Sequence, residues 1–493
     1  MQTLVVVNEP TDWPLAIEGI ELVAARSYLA DPSFAGLSKV MVFNLCRSYR
    51  YQSTGYYVSL LAAARGHKPL PDITTIQDLK SQTIIRIASE ELDEQIQKSL
   101  VHIRSKEFVL SIYFGRNLAR QHDKLSHHLF QQFQAPFLRA FFVHNEKNRK
   151  WFLQSISPIP AGEIPSEHRP FVVEVARDYF MGRRRIVKRR RHYRYDMAIL
   201  HDPTATEPPS DSRALHHFVH AAESLGIDTE MITKDDYGRL PEFDALFLRE
   251  TTSVNHYTYR FARRAAAKKL VVVDDPESIL KCTNKVFLAE ILARNRVSIP
   301  KTVIVHKDNT DEVCESLGLP CILKQPDSSF SQGVMKVESA EELHSHVGRL
   351  LDRSDLIIAQ EFLPTEFDWR VGIFDRQPLY VCKYFMAKKH WQIIKRNADG
   401  TKSADGSYTT LPVEHAPAGL IRTALKAANL IGAGLYGVDI KQIGAKFYVI
   451  EINDNPNIDA GVEDAVLKDE LYLRIMRVFL RRIELKNEWS PAW

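Results

Sequence analysis

The chain has 493 residues, more than one hydrophobic core usually organises, so several domains of roughly 100–200 residues each are expected. Hydrophobic residues make up 45% and charged residues 26%, which excludes wholesale disorder, collagen and coiled coil. Lys and Arg number 65 against 61 Asp and Glu; a net charge of +4 is too balanced for a protein that coats polyanions, so nucleic acid is disfavoured as a partner. The five cysteines (Cys46, Cys282, Cys314, Cys321 and Cys382) form no CxxC pair and fit reduced thiols. No apolar run approaches the roughly 18 residues of a membrane span. The opening MQTLVVVNEPTDW lacks the basic n-region of a signal peptide. A soluble cytoplasmic protein without membrane partners is expected.

Short apolar runs at Leu4–Val7, Val40–Phe43 and Phe108–Phe114 alternate with helical patterns near Val58–Arg65 and over Asn117–Phe133, which predicts an α/β unit to about residue 180. The loop after Val40–Phe43 carries Arg47, Tyr49, Arg50 and Tyr51. Loops at the carboxyl ends of strands tend to bind ligands, so this one reads either as a plain surface loop or as a substrate contact. Arg183–Arg194 (RRRIVKRRRHYR) holds eight Lys or Arg in twelve residues. Charge that dense resists burial and predicts a linker, with a lure for acidic partners as the sharper alternative. Strand-like Asp196–Leu200, Ala245–Leu248 and Leu270–Val273 alternate with helix-like Ser212–Leu225 and Tyr257–Lys268, a βαβ-type unit ending near Leu280. From Cys282 to about Arg482 the pattern is α+β.

The most informative stretch is Gly437–Asn457, GVDIKQIGAKFYVIEINDNPN. Glu451 and Asn453 are two apart and share a strand face. A three-residue turn at Gly444-Ala445-Lys446 would pair Ile443 with Phe447, Lys441 with Val449 and Asp439 with Glu451. Two opposed carboxylates repel unless a cation lies between them, and Lys441 alone leaves a deficit. Oxygen donors of this kind suit Mg²⁺, with Mn²⁺ as the substitute; no Cys or His joins the set, which disfavours zinc. A metal of this type needs a nucleotide. Walker A and GxGxxG are both missing where a strand-to-helix turn would require them. Lys324 instead ends the apolar run of CILKQPDSSFSQGV, ahead of small and polar residues able to cover phosphates with backbone N–H groups. Leu356–Gln360 leads into Glu361-Phe362-Leu363, Asp368 and Arg370 share one face of the next strand, and Lys285 begins an amphipathic helix. The paired histidines, such as His127-His128 and His216-His217, lack the i, i+4 spacing of a metal pair, and there is no nucleophile elbow.

Taken in order, CILKQPDSSFSQGV, IIAQEFLPTEFDWRVGIF and GVDIKQIGAKFYVIEINDNPN resemble the ATP-grasp superfamily, and within it the RimK-type carboxylate–amine ligases that add glutamate or similar amino acids. The resemblance runs from about Asp196 to Arg482. The first 180 or so residues resemble an amino-terminal extension found on some RimK-like proteins. It implies an α/β and α+β multidomain fold: an amino-terminal α/β extension domain that recognises substrate (1–180), a basic linker (181–195), a pre-ATP-grasp α/β domain (196–281) and an ATP-grasp catalytic domain (282–484). It also implies ATP and Mg²⁺ as cofactors. Lys285 and Lys324, with Ser331 and Gly333 of the covering loop, would contact phosphates. Glu361, Phe362 and Leu363 would sit at the adenine hinge, Asp368 would be an acidic nucleotide contact, and Asp439, Glu451 and Asn453 would be the metal ligands. Arg370 would be a catalytic-face arginine, and Lys383 and Lys388 basic residues near the nucleotide. The covering loop is serine-rich where the family tends to glycine, and the segment after Lys383 departs from the family's arginine-bearing substrate strand.

Such a site makes an acyl phosphate from ATP and a carboxylate, which an amine then attacks; Arg370 is the cation expected to stabilise the oxyanion. Arg249, at the end of a predicted strand, is the candidate for holding a substrate carboxylate in a bidentate fork, a surface salt bridge being its alternative. The partners expected are an amino-acid donor, glutamate first, and a carboxylate acceptor on a peptide, protein or small molecule, with a homo-oligomer left open. Two rival readings stand beside this one: another ATP-grasp ligase or phosphotransferase with a different acceptor, and a nucleotide-binding scaffold without catalysis.

Overall fold

The structure is a computed structural model that describes residues 2–15, 17, 20–37, 40–182, 193–327, 333–387, 391–396 and 402–488. The chain forms two compact units, Met1–Arg191 and His192–Trp493. Most of the basic run at 183–194 lies outside the described residues, as do Ser331 and Lys388.

In the first unit, strands β1 (Gln2–Val7), β2 (Glu21–Ala24), β3 (Val40–Asn44) and β4 (Lys68–Leu70) form a parallel sheet in the order β2-β1-β3-β4. Leu4 to Val7 are all fully buried, as expected of a strand covered on both faces. Leu4, Val6 and Val42 meet Tyr28, Val58 and Ala62 on one side; Val5, Met41 and Phe43 join a second core on the other. That second core belongs to an antiparallel sheet, β5 (Glu107–Tyr113), β6 (Phe137–Asn145) and β7 (Lys150–Pro158), which the strand-then-helix pattern did not predict. The loop after β3 is pinned from within. Asn44 donates to the Gly55 carbonyl (2.6 Å) and to Ser59 Oγ (2.8 Å), while Tyr49 donates to the Asn44 carbonyl. Arg47 pairs with Asp12, and Tyr51 is left 69% exposed.

In the second unit, β8 (Tyr195–Leu200), β9 (Ile227–Ile232), β10 (Ala245–Leu248) and β11 (Val271–Val273) form a parallel sheet in the order β11-β10-β8-β9. The strands expected at Asp196, Ala245 and Leu270 are present to within a residue, and β9 adds one not anticipated. Next come β12 (Thr302–Val305), β13 (Cys321–Lys324), β14 (Val334–Val337) and β15 (Ile357–Glu361), an antiparallel sheet ordered β12-β15-β13-β14. A second antiparallel sheet holds β16 (Phe367–Phe374) and β17 (Gln377–Phe385). A small pair, β18 (Ile394–Arg396) and β19 (Lys402–Asp405), follows in the chain. The larger sheet is completed by β20 (Tyr408–Leu411), β21 (Leu435–Ile443) and β22 (Lys446–Asn453), in the order β20-β17-β16-β21-β22.

The closing helix Asp469–Glu488 joins the parallel sheet to the larger antiparallel one. Tyr472 stacks on His217 with centroids 4.9 Å apart, and Phe479 packs against both Phe247 and Phe374. Met197, Phe218, Phe374, Leu379 and Ile475 thus share one core, so the boundary expected at 281/282 is not a break in packing. No helix among the described residues is long and apolar enough to cross a membrane.

Candidate active site

Between the two antiparallel sheets of the second unit lies a cleft of about 760 Å³. Strand alternation decides which side chains reach it. On β16, Asp368 and Arg370 face the cleft, while Trp369 and Val371 are in the core. On β21, Asp439 and Lys441 face it, with Val438 and Ile440 behind. Glu451 and Asn453 of β22 join them.

The hairpin brings Asp439 opposite Glu451 as expected, by a route the sequence reading had wrong. The turn is a two-residue loop, with Ile443 opposite Lys446 rather than Phe447. That register alone would set Asp439 against Ile450. A bulge between Asp439 and Ile440 takes up the extra residue on β22 and restores Asp439↔Glu451 and Gly437↔Asn453. Gly437 has to be small: a Cβ there would come within 2.8 Å of the Pro456 Cβ.

Each acid carries its own cation. Arg370 donates from Nε and one Nη to the two oxygens of Asp439, at 2.7 and 2.8 Å. Asn453 Nδ2 reaches the same carboxylate at 3.1 Å. Lys285 Nζ lies 3.1 Å from Glu451, and Lys441 Nζ lies 2.6 Å from Asp368, which also accepts from Thr365 at 2.9 Å. Lys441, set aside in the sequence as too little charge for two opposed acids, serves neither Asp439 nor Glu451: its partner is Asp368 on the neighbouring strand β16. Burial opposes ionisation of Glu451, but Lys285 and Lys324 outweigh it and hold that carboxyl below the usual range. Burial raises the pKa of Asp368 in spite of Lys441. Lys324 is buried and donates to Gln360 Oε1 at 2.7 Å; burial, opposed by Glu451 and reinforced by Lys285 and Lys441, brings it down to about 8.

Lys285 opens the helix Lys285–Arg294, which Asn284 caps by accepting from Phe287 N–H at 2.9 Å. Its own backbone N–H donates to the Pro326 carbonyl at 3.0 Å, which ties that helix to the segment after β13. Gly333 closes the far side of this segment with φ +71°, and its carbonyl accepts from Gln325 N–H. Glu361, Phe362 and Leu363 line the cleft where β15 ends. Phe362 carries Lys336 over its ring at 4.7 Å and meets Trp391 edge-on.

Two placements differ from expectation. Lys383 is opposite Trp369 on the back of the sheet, its Nζ 4.5 Å from the Phe367 ring centroid and 4.8 Å from that of Trp369; it does not line the cleft. Arg249 is 1% exposed and holds no salt bridge among the described residues. It donates to Ser210 Oγ, Asn455 Oδ1 (2.7 Å) and the carbonyls of Pro209 and Pro456, and burial lowers its pKa to about 10. It clasps two loops together and is not among the residues that line the cleft.

The sequence reading missed Gln360, Tyr384, Asp454, Asp459 and Glu463, all of which line the cleft. Tyr384 was within reach of alternation, since it pairs with Asp368 across β16 and β17. Gln360 is on β15, next to Glu361, and nothing local marks the other three, whose placement depends on the loop after β22 folding back. Asp454 is 4% exposed with one carboxylate oxygen unpartnered, and burial raises its pKa to about 7.

The donor set Asp439, Glu451 and Asn453 is all oxygen and suits a hard divalent cation. Among the described residues no group of three or more His, Cys, Asp or Glu is arranged to hold a metal; here the third donor is an amide.

Residues 25–175 match a family model described as the RimK-like ATP-grasp N-terminal domain, and residues 296–460 match one described as the D-ala D-ala ligase C-terminus. A protein of Vibrio vulnificus called a probable alpha-L-glutamate ligase is 26% identical over 239 residues, 47% of this chain and 74% of the relative. The alpha-aminoadipate–LysW ligase LysX of Saccharolobus solfataricus is 28% identical over 193 residues, 38% of this chain and 66% of the relative. Among solved structures, a RimK domain ATP-grasp protein of Sphaerobacter thermophilus aligns at 15% identity and a TM-score of 0.44, over 57% of this chain and 98% of that one.

With its paired antiparallel sheets and the charged cleft between them, the second unit is an ATP-grasp fold, and the protein is an ADP-forming carbon–nitrogen ligase of that class. The amino-terminal match narrows this further: residues 25–175 match the RimK-like ATP-grasp N-terminal domain, and relatives of the chain are called probable alpha-L-glutamate ligases.

Proposed function

We propose that the protein activates a carboxylate with ATP and joins it to the amine of an amino acid, glutamate or one similar, on a peptide, protein or small-molecule acceptor. One observation carries the reading: in a single cleft, Lys285, Lys324, Arg370 and Lys441 are interleaved with Asp368, Asp439 and Glu451. Phosphoryl transfer asks the protein for positioning and charge neutralisation more than for a nucleophile. Lys285 and Lys324 would neutralise phosphate oxygens, and Glu361, Phe362 and Leu363 would bound the base. Asp439, Glu451 and Asn453 would hold Mg²⁺, or Mn²⁺ in its place, which supplies charge stabilisation to the phosphates when bound. Arg370, already fixed by Asp439, would present its remaining donors to the oxyanion formed when the amine attacks. Names of relatives that specify glutamate and alpha-aminoadipate support a carboxylate and an amino acid as the two substrates. The five cysteines, all free, support a reducing, cytoplasmic setting.

The test is release of ADP and phosphate from ATP with a panel of amino acids, singly and in pairs, with products followed by mass spectrometry. Amine-dependent release together with a new amide supports the reading. Release that never depends on an added amine and yields no amide removes it.

A further inference from the structure

The order of strands in the larger sheet is also an order across the cleft. Glu451 and Asn453 are on β22, Asp439 and Lys441 on β21, Asp368 and Arg370 on β16, and Tyr384 on β17, one strand beyond Arg370 and away from the metal donors. The Arg370 guanidinium lies 5.2 Å from the centroid of the Tyr384 ring. Tyr384 Oη donates to Glu463 Oε1, and Glu463 Oε2 accepts from the Asp459 backbone N–H at 2.8 Å. All three residues line the cleft, and Glu463 is 1% exposed. Past Arg370, the described lining residues of β17, β20 and the Asp459–Glu463 segment include no Lys or Arg. That end of the cleft presents Tyr384, Asp459 and Glu463, and it adjoins the arginine assigned to the oxyanion.

We infer that Tyr384 and Glu463 together accept the proton of the incoming amine. The inference rests on the ligase reading above and assigns its missing step. The amine of a free amino acid is protonated near neutral pH and has no lone pair with which to attack. In the proposed step, an ammonium N–H bond breaks and its proton passes to Tyr384 Oη while the phenol proton moves to Glu463. The freed lone pair forms the C–N bond at the acyl phosphate carbonyl, and the bond from that carbon to the bridging oxygen breaks, its electrons leaving with inorganic phosphate. The second proton lost from nitrogen leaves on the phosphate, and Glu463 returns its proton to solvent.

Burial raises the Glu463 carboxyl to about 7, opposed by the Asp459 N–H and by Tyr384, which suits a base working near neutrality. The groups facing it are Arg370 on β16, Tyr380, Cys382 and Tyr384 on β17, Asp459 of its own loop, Arg249 beyond β10, and Tyr472. The two arginines are the cations among them. Both favour the carboxylate and work against the effect of burial.

Hydroxylamine separates this role from a structural one, because it is uncharged at neutral pH and attacks an acyl phosphate without first losing a proton. With the pair of substrates that works best in the panel above, Glu463→Gln should lower amide formation by about 10²-fold or more while hydroxamate formation from hydroxylamine stays near the wild-type rate. Glu463→Asp should recover part of the amide rate, and Tyr384→Phe should show the same split as Glu463→Gln. Equal loss of both products in Glu463→Gln and Tyr384→Phe overturns the inference and leaves the ligase reading standing. A wild-type chain that forms neither amide nor hydroxamate with any pair removes both.

Discussion

Arg370 and Asp439 lie directly opposite each other on β16 and β21, and the guanidinium donates to both carboxylate oxygens, at 2.7 and 2.8 Å. Burial works against the charge of Arg370, and Asp439 outweighs it, so the arginine is held protonated. Lys285 is paired in the same way with Glu451, and Lys441 with Asp368. Three half-buried acids are thereby each paired with a cation, and three cations are aimed before substrate arrives. A carboxylate has lone pairs to spare after two such hydrogen bonds, so Asp439 can serve its arginine and a cation together.

Replacing Arg370 by Lys keeps the charge and loses the fork. We expect amide formation to fall by about 10–100-fold, the equivalent of the roughly 1.5–3 kcal/mol of charge-assisted hydrogen bonding removed. Rates of amide formation with saturating ATP will check this; an unchanged rate would remove Arg370 from the reaction.

Glu451→Gln removes one charge with almost no change in volume. Turnover should drop roughly 10²–10³-fold, the scale of losing one preorganised electrostatic group, while the circular dichroism spectrum stays that of the parent. Unaltered turnover would mean that the divalent cation is held elsewhere.

Arg249→Lys should act on stability rather than on substrate affinity. The lysine cannot reach Ser210, Asn455 and the two proline carbonyls at once, so the second unit should lose about 2–3 kcal/mol. Urea unfolding measures that loss. A raised KM for the amino acid with the unfolding midpoint unmoved would instead restore the substrate-carboxylate role expected from the sequence.

Lys324 gives a pH prediction with two opposite signs. Burial holds its folded pKa near 8, below the 10.5 of a free lysine. Between those values the unfolded chain binds more protons than the folded one, so the contribution of Lys324 to stability rises with pH across that window. Over the same range the amine loses its charge and with it its attraction for phosphate. ATP affinity, measured by equilibrium binding, should fall as pH rises through about 8 while the unfolding midpoint does not fall with it. In Lys324→Met, the part of the affinity change due to this group should vanish.

Which residues share a strand face was legible in advance wherever a strand could be recognised, because side-chain direction follows from a period of two. Asp368 with Arg370, and Glu451 with Asn453, follow from counting alone. The same counting sets Lys383 on the opposite face from Tyr384, and a pairing of β16 with β17 would have exchanged one for the other as a site residue. The Asp439–Glu451 pairing was reached with the wrong turn, since a tight loop and a bulge cancel, and neither has a mark in the local sequence that alternation detects. The β5-β6-β7 sheet went unread because its strands are joined by long-range pairing rather than by a recognisable tight hairpin at both ends.

Composition, strand and helix periodicity and the order of three motifs were therefore enough to determine a multidomain α/β protein with an ATP-grasp portion and to pick out Lys285, Lys324, Asp368, Arg370, Asp439 and Glu451 in its charged cleft. Only the folded chain decided which cation serves which acid, that Arg249 is a buried clasp, and that Glu463 returns to stand behind Tyr384. The reason is physical. Facing and periodicity are set by bonds between neighbours in sequence, whereas charge partners are chosen by proximity across strands and loops, where Lys441 finds Asp368 and Arg249 finds Asn455 more than two hundred positions away.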